Sequence, residues 1–492
     1  MNKDTATIVG QLRPDYNDAH VDEAMCIKKS FAEAWEGKFG STEYQMVMDL
    51  DTVDEIVVEW EDARSDEILT GAQIYKKIFL EGNPWMLSAN GTIFTYEHKG
   101  IIPGLLERWY KERQEMQKIK GEQTTPESKA FWDKRQLVKK INLNSLYGAI
   151  LNPGCRFFDK RIGQSTTLTG RAIAKHMSAE VNKVITGEYD HVGKSIIYGD
   201  TDSVYFSAFP ILKKEIEAGQ IPWTKESVIQ LYDQVCGEAN KTFEKFMHKA
   251  FHCPKSRAEV IAAGREIVAE SGLYITKKRY AALIYDDEGE RKDVDGKPGK
   301  VKAMGLDLKR SDTPVFMQDF LSELLLMVLQ EKKEKEILDA VAQFRTEFKK
   351  RPGYEKGSPK RANKIGHYQK LEERQGKANM PGHVRASINW NTLKKMNGDK
   401  YSQEIVDGMK VVVCKLKKNP LGYTSVAYPT DELHLPDWFK ELPFDGDAME
   451  ETIIDNKLGN LIGVLSYDLE STKQNITFNS LFVFGGTDVG YK

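Results

Sequence analysis

Two aspartates, Asp200 and Asp202, stand in the turn of Lys194-Ser-Ile-Ile-Tyr-Gly-Asp-Thr-Asp-Ser-Val-Tyr-Phe206, between two apolar runs. If the turn is extended, both carboxylates project to one side, where they repel each other unless a cation lies between them. Hard oxygen donors of this kind suit magnesium. A solvated Asp-Thr-Asp turn is the alternative. A second set, Lys140, Asn144 and Tyr147 with Gly148, recurs at four- and three-residue spacing, which puts a cation, an amide and a ring on one helix face. Such a face grips a triphosphate and a base, or is a solvated stripe with a satisfied tyrosine. In the third, Lys277-Lys-Arg-Tyr280, three cations end in a ring, which suits phosphate contact with stacking, or surface solvation.

The elements that must position these groups are legible around them. β-Branched and aromatic residues on both sides of Gly199 and Asp200 predict a β-hairpin with the aspartates at its tip. Thr125-Pro126 predicts a helix start, with Thr125 as N-cap and Pro126 at the first helical position, running toward Tyr147. Upstream, Leu105, Leu106, Trp109 and Met116 predict an amphipathic helix over 104–120, ended by Gly121. Residues 1–100 read as mixed α/β, with Asn90-Gly91 as a hairpin turn. Arg156-Phe-Phe-Asp-Lys160 reads as strand or turn, Thr169 starts another helix, and 224–250 has helical spacing. Residues 265–270, with Glu266, alternate like a strand. Beyond Pro314 a helix is expected over 315–343, then a loop-borne basic patch of Lys349, Lys350, Arg351, Lys356, Lys360, Arg361 and Lys364. That patch is a phosphate footprint or a solubilising surface. The residues from Leu433 on are more acidic.

Length and composition bound the rest. With 492 residues the chain holds several subdomains. Lys+Arg 71 against Asp+Glu 73 leaves a net charge of -2, so any nucleic-acid contact must come from local basic patches rather than global attraction. Cys26, Cys155, Cys236, Cys253 and Cys414 form no Cys-x-x-Cys pair, against a disulfide framework or structural zinc. There is no signal-peptide pattern after Met1 and no apolar run long enough to cross a bilayer, so a soluble protein of the reducing cytoplasm is expected. No Walker loop, dinucleotide fingerprint, His-Glu-x-x-His or nucleophile elbow occurs.

Lys140-x-x-x-Asn144-Ser-x-Tyr147-Gly148, Tyr198-Gly-Asp-Thr-Asp-Ser203 and Lys278-Arg-Tyr280, in that order and spacing, resemble the family B DNA polymerases. The likeness is greatest to the replicative polymerases of T4-like phages: Arg156-Phe-Phe-Asp, Arg265-Glu266, Met304-Gly-Leu, Ser311-Asp-Thr-Pro314, Asn363-Lys-Ile and His383-Val-Arg385 also look like that group. It extends from Thr7-Ile-Val-Gly10 to the C-terminal region.

The resemblance implies an α+β, right-hand polymerase fold: a partial palm with antiparallel sheet, helical-hairpin fingers and a mostly helical thumb, without the exonuclease domain. Residues 1–100 would be the palm after motif A, 101–152 the fingers, 153–303 the palm with motif C, and 304–492 the thumb and tail. It implies that Asp202, Asp200 and Glu266 bind two Mg2+ ions, with Asp200, Asp202 and Lys140 catalytic. Arg113, Lys140, Asn144 and Tyr147 would bind the dNTP. Lys278, Arg279, Tyr280, Lys309, Arg310, His383 and Arg385 would bind primer–template DNA.

The sequence departs from the family pattern. Gln117 replaces the lysine one turn after the fingers arginine, and Lys118 is one step out of register. Arg113 and Lys140 are 27 residues apart, a short fingers hairpin. Ser480-Leu-Phe-Val-Phe484 resembles a sliding-clamp peptide, yet eight residues follow it; a plain apolar tail is the alternative. Motif A is not recognisable, its nearest mimic being Met46-Val-Met-Asp-Leu-Asp51, which lacks the Leu-Tyr-Pro turn. The expectation is therefore the C-terminal part of a split polymerase, in the cytoplasm of an infected bacterium if phage-encoded. A second chain would carry motif A and the exonuclease, and this one would be poorly stable alone. The alternative is a noncatalytic DNA-binding or scaffolding subunit.

Overall fold

Short β-branched runs at the N-terminal end form strands whose alternate residues share one buried face, which is how Leu12, Val58 and Ile93 reach a common core. The computed structural model describes residues 7–12, 56–63, 65–376 and 379–473. Asp49, Asp51 and the Ser480-Leu-Phe-Val-Phe484 peptide lie outside the described residues. The chain divides into two compact units, Met1–Arg265 and Glu266–Lys492.

In the first unit, β1 (Ile8–Leu12), β2 (Ile56–Trp60), β3 (Glu67–Leu69), β4 (Trp85–Leu87) and β5 (Thr92–Thr95) form an antiparallel sheet in the order β3-β2-β1-β5-β4. Its inner face packs on Ile74, Tyr75 and Ile78 of the helical segment 71–80. The expected hairpin at Asn90-Gly91 is β4–β5, with Gly91 at φ 80°. Helix α1 (Ile101–Glu122) and helix α2 (Pro126–Ile150) are antiparallel: Lys120–Asp133, Arg113–Gln136 and Glu112–Lys139 bridge them in reverse order. The Thr125 hydroxyl caps α2 by accepting from Ser128 N at 3.2 Å. Gly121 does not end α1 but lies inside it, one residue before the end. Of these two helices only Ile102 and Ile150 are buried among the described side chains, so polar bridges tie the pair together more than a core does.

Helix α3 (Lys160–Thr186) begins well before the expected Thr169, because Asp159 caps it by accepting from Arg161 N. The Arg156-Phe-Phe-Asp stretch is turn, not strand. Gly187, at φ 85°, ends the helix. After the hairpin β6 (Ile196–Asp200) and β7 (Ser203–Phe206) come α4 (Phe209–Glu217) and α5 (Lys225–Phe251), the latter opened by a capping box of Thr224 and Ser227. α3 packs on α5, where His176 stacks on Phe246 at 4.0 Å between hydrogen bonds to Tyr189 and Thr242. Burial pulls the His176 pKa down to about 3, so it is a neutral core side chain.

The second unit is built on β8 (Ile267–Thr276), β9 (Arg279–Asp287), β10 (Glu290–Arg291) and β11 (Lys300–Met304), all antiparallel, with β9 in the middle and nearly all buried. The single helix expected over 315–343 is two, α6 (Val315–Leu329) and α7 (Glu334–Lys350), broken where Glu331 takes φ 56°. The basic segment is not one loop: it spans the end of α7, a 3₁₀ turn and strand β12 (Ser358–Arg361), and Lys356 is 8% exposed, donating to Lys349 O at 3.1 Å. Pro359 fits because, among the described residues, β12 pairs only with the next strand. Then follow α8 (Ile365–Gln375), α9 (Gly382–Met396), β13 (Lys410–Lys415), β14 (Ser425–Pro429) and, nearer the end, α10 (Asn456–Ile462). The acidic C-terminal stretch neutralises a buried cation. Arg345, 0% exposed, donates to Glu450 at 2.9 Å, Asp455 at 2.5 Å and Thr472 at 2.9 Å. A guanidinium out of water is tolerable only when paired in this way.

Candidate active site

The acidic hairpin is held by its foot. Asn182 of α3 is fully buried and its Oδ1 accepts from Ser195 N at 3.2 Å and Ser195 Oγ at 2.8 Å, while its Nδ2 donates to Glu188 O at 2.8 Å. A Cβ at Gly193 would lie 2.2 Å from that amide, so glycine is needed for the approach. On the partner strand at the same foot, where Phe206 pairs with Ile196, the Phe206 ring sits 4.8 Å from Tyr232 of α5.

The tip differs from the expectation in one respect. Gly199 is a strand residue paired with Val204, and Asp200 pairs with Ser203, leaving Thr201 and Asp202 as a two-residue loop. Thr201 has φ 57°, an uncommon conformation for a β-branched residue, so the run is not extended and simple alternation does not align the carboxylates. Thr201 Oγ1 donates to Asp200 Oδ1 at 3.1 Å, and Ser203 Oγ to Asp200 O at 3.0 Å. Asp202 is exposed and has no hydrogen-bond or ion-pair partner among the described residues. No cluster of three or more His, Cys, Asp or Glu side chains forms among the described residues. Asp200 and Asp202, two carboxylates on one hairpin tip, fit magnesium in donor type, since that ion commonly takes one or two carboxylates from protein and completes its shell with water and phosphate.

On α2, Lys140 and Asn144 are exposed and without partners among the described residues. Tyr147 is half-buried and donates its hydroxyl to Gly163 O at 3.3 Å. Arg113 is half-buried on α1 and donates through Nε to Gln136 Oε1 at 3.2 Å; Gln117 and Lys118 are exposed further along that helix.

In the second unit, Lys277 and Lys278 are the two-residue loop between Thr276 and Arg279, with Lys278 at φ 62°. Gly305, at φ 63°, passes beneath: a Cβ there would lie 2.1 Å from Lys278 O. Arg279 donates to Asn460 O at 2.8 Å. Tyr280 corrects the expectation of base stacking. It is 5% exposed and its ring stacks on Tyr274 at 5.7 Å, on the face of the central strand opposite to Ala281 and Leu283, which enter the core. Burial pushes the Tyr274 pKa up to about 12.

Of the remaining predicted DNA contacts, Arg310, Arg385 and His383 carry partners or cover. Arg310 grips Asp312 (2.9 and 3.2 Å), which Lys360 also reaches at 3.0 Å; Arg310 first, then Lys360, holds that carboxyl well below its usual range against burial. Lys309 ends a 3₁₀ turn beside it and is exposed. Arg385 donates to Glu372 at 2.7 Å. His383 is half-buried, and burial, then Lys360, lowers its pKa. Glu266 is exposed just before β8, 3.7 Å from Lys302.

Sequence reasoning passed over Asn182, Gln136, Asp133 and Arg345. Arg345 left a signal, since it continues the buried spacing Ile337, Val341 and ends at Phe348. The two amides left none, as their partners lie across the fold.

A profile of DNA polymerase family B matches residues 65–249 and 258–353. The DNA-directed DNA polymerase of Escherichia phage RB69 is 29% identical over 305 residues, 60% of this chain and 33% of that protein. That of Enterobacteria phage T4 is 28% identical over 318 residues, again 60% and 33%. The DNA polymerase of Paramecium bursaria Chlorella virus NY2A is 28% identical over 242 residues, 48% of this chain and 23% of that protein. The chain thus spans about a third of the length of the phage relatives it matches.

Proposed function

The chain belongs to DNA polymerase family B, and from that premise we propose that it is the C-terminal subunit of a split DNA-directed DNA polymerase. In this reading it transfers nucleotides from dNTPs to a primer 3′-hydroxyl, with an N-terminal fragment supplying motif A and the exonuclease. The observation that supports it best is Asp202, an exposed carboxylate without a partner among the described residues, at the tip of a hairpin whose foot is locked by Asn182.

Asp200 and Asp202 would hold magnesium, and Glu266 keeps the role of a carboxylate that the family resemblance implies for it. Two Mg2+ ions, when bound, lower the charge barrier at the primer 3′-hydroxyl and the departing pyrophosphate. Lys140 and Arg113 bind the triphosphate and offset the charge it carries away. Asn144 neighbours that site, and Tyr147, its hydroxyl tied to Gly163, presents a ring edge to the nascent base pair. Lys278 meets the primer backbone, with Tyr280 fixing its hairpin from inside. Arg279, Lys309, Arg310, His383 and Arg385 serve the duplex, Arg310 and Arg385 by exchanging carboxylate for phosphate. Residues 1–100 and 153–303 act as palm, 101–152 as fingers, 304–492 as thumb and tail. Ser480-Leu-Phe-Val-Phe484 docks a sliding clamp, and the setting is the cytoplasm of an infected host cell.

Primer extension tests the reading. The chain mixed with the N-terminal fragment is expected to extend a primer, and Asp202→Asn to lower the rate by about a thousandfold or more, several kcal/mol of transition-state stabilisation. Full extension by this chain alone sinks the split arrangement. Extension indifferent to Asp202→Asn sinks the catalytic role.

A further inference from the structure

Arg113 and Gln136 face each other across the antiparallel pair α1 and α2, with Arg113 Nε donating to Gln136 Oε1 at 3.2 Å. The amide is itself oriented. Gln136 Nε2 donates to Asp133 Oδ1 at 3.2 Å, and Lys120 Nζ donates to the same oxygen at 2.6 Å. An ionised carboxylate only accepts, so Asp133 takes the amide NH2 and turns the amide oxygen toward the guanidinium. Lys120, and after it Gln136, hold the Asp133 carboxyl below its ordinary range, which keeps it an acceptor. Four side chains thus form one polar relay, Lys120 to Asp133 to Gln136 to Arg113, along the seam between the helices.

The relay stops at the guanidinium's outer edge. Nη1 and Nη2 of Arg113 have no partner among the described residues. The adjacent carboxylate that would compete for them, Glu112, is engaged by Lys139 at 2.5 Å and lies 3.8 Å from Arg108. The acceptor on Nε is also neutral, so the arginine keeps its full charge while losing rotational freedom. A guanidinium fixed in this way presents a fork suited to bidentate capture of phosphate oxygens.

We infer that Gln136 is a positioning residue that, steadied by Asp133 and Lys120, holds Arg113 by Nε and directs its outer edge at the β- and γ-phosphates of the incoming nucleotide. This rests on the reading of Arg113 as a triphosphate contact. A carboxylate at position 136 would neutralise the arginine, and an apolar residue would release it toward nearby acids.

The test is equilibrium binding of dNTP, and of the matching dNMP, to the full chain together with the N-terminal fragment on a dideoxy-terminated primer–template. Gln136→Leu is expected to weaken dNTP binding about tenfold, the scale of one hydrogen bond to a charged group, and to leave dNMP binding unchanged. Gln136→Glu, nearly isosteric and retaining the helix pair, is expected to weaken dNTP binding as well. In an Arg113→Ala background neither substitution has a further effect. If Arg113→Ala weakens dNTP binding while both Gln136 variants bind as the parent does, the inference fails and the triphosphate reading stands. Equal losses for dNTP and dNMP, or losses that persist without Arg113, also overturn it by reducing Gln136 to a structural clamp. Binding indifferent to Arg113→Ala, or no dNTP binding by the parent complex, overturns the triphosphate reading and the inference together.

Discussion

The two hairpins that carry the most suggestive residues share a plan and differ in charge and support. Both close on a two-residue loop with one non-glycine residue at positive φ: Thr201 at 57° beside Asp202, and Lys278 at 62° beside Lys277. The acidic one belongs to a two-stranded sheet and is secured at its foot, by Asn182 on Ser195. The basic one is continuous with a larger sheet whose central strand is buried, and is buttressed at its tip, by Gly305 under Lys278. The acidic tip leaves Asp202 exposed beside a half-buried Asp200, whereas the basic tip is held in a fixed shape from beneath; on the proposed function the first suits a cation taken from solution and the second a regular polyanion.

That contrast can be broken most severely at Gly305. Gly305→Ala combines a left-handed φ with a backbone clash, and is expected to destabilise the second unit by about 3 kcal/mol or more, seen as a lower denaturant midpoint, while weakening DNA binding. Asn182→Ala should come next. It leaves Ser195 N and Oγ and Glu188 O to find other partners, at a cost of about 2–3 kcal/mol in urea unfolding of the first unit, with duplex affinity retained. Loss of DNA binding there, with activity kept, would reverse the division of labour. The smallest effect belongs to Lys278→Gln: no measurable change in stability, and a shallower dependence of DNA affinity on salt, by about one unit in slope. An unchanged slope would remove Lys278 from the DNA contacts.

Local chemistry explains what could be read beforehand. Thr125-Pro126 fixed one helix start because cap and missing N–H act within a turn, and β-branched runs around a short polar turn announced the acidic hairpin, whereas the basic one reads only as a charged motif. The family resemblance, drawn from three short motifs, agrees with the profile match. What stayed hidden depends on partners distant in sequence. Tyr280 reads as a ring available for stacking until the strands pair and set it against Tyr274. The break at Glu331 lies in a run of charges that a helix would equally tolerate, and Lys356 looks like surface charge until its burial is known. The relay on Arg113 needs two helices in a specific register, which spacing within either one does not encode.

The Arg345 cluster has a consequence for the order in which the second unit is completed during synthesis. The arginine leaves the ribosome 127 residues before Thr472 and 105 before Glu450. Until those partners arrive, α7 cannot seat its buried face without stranding a charge, so the helix must wait in a solvated, incompletely docked form. A nascent chain halted short of Glu450 therefore carries a strong reason not to close its core, and is a natural target for chaperones and proteases.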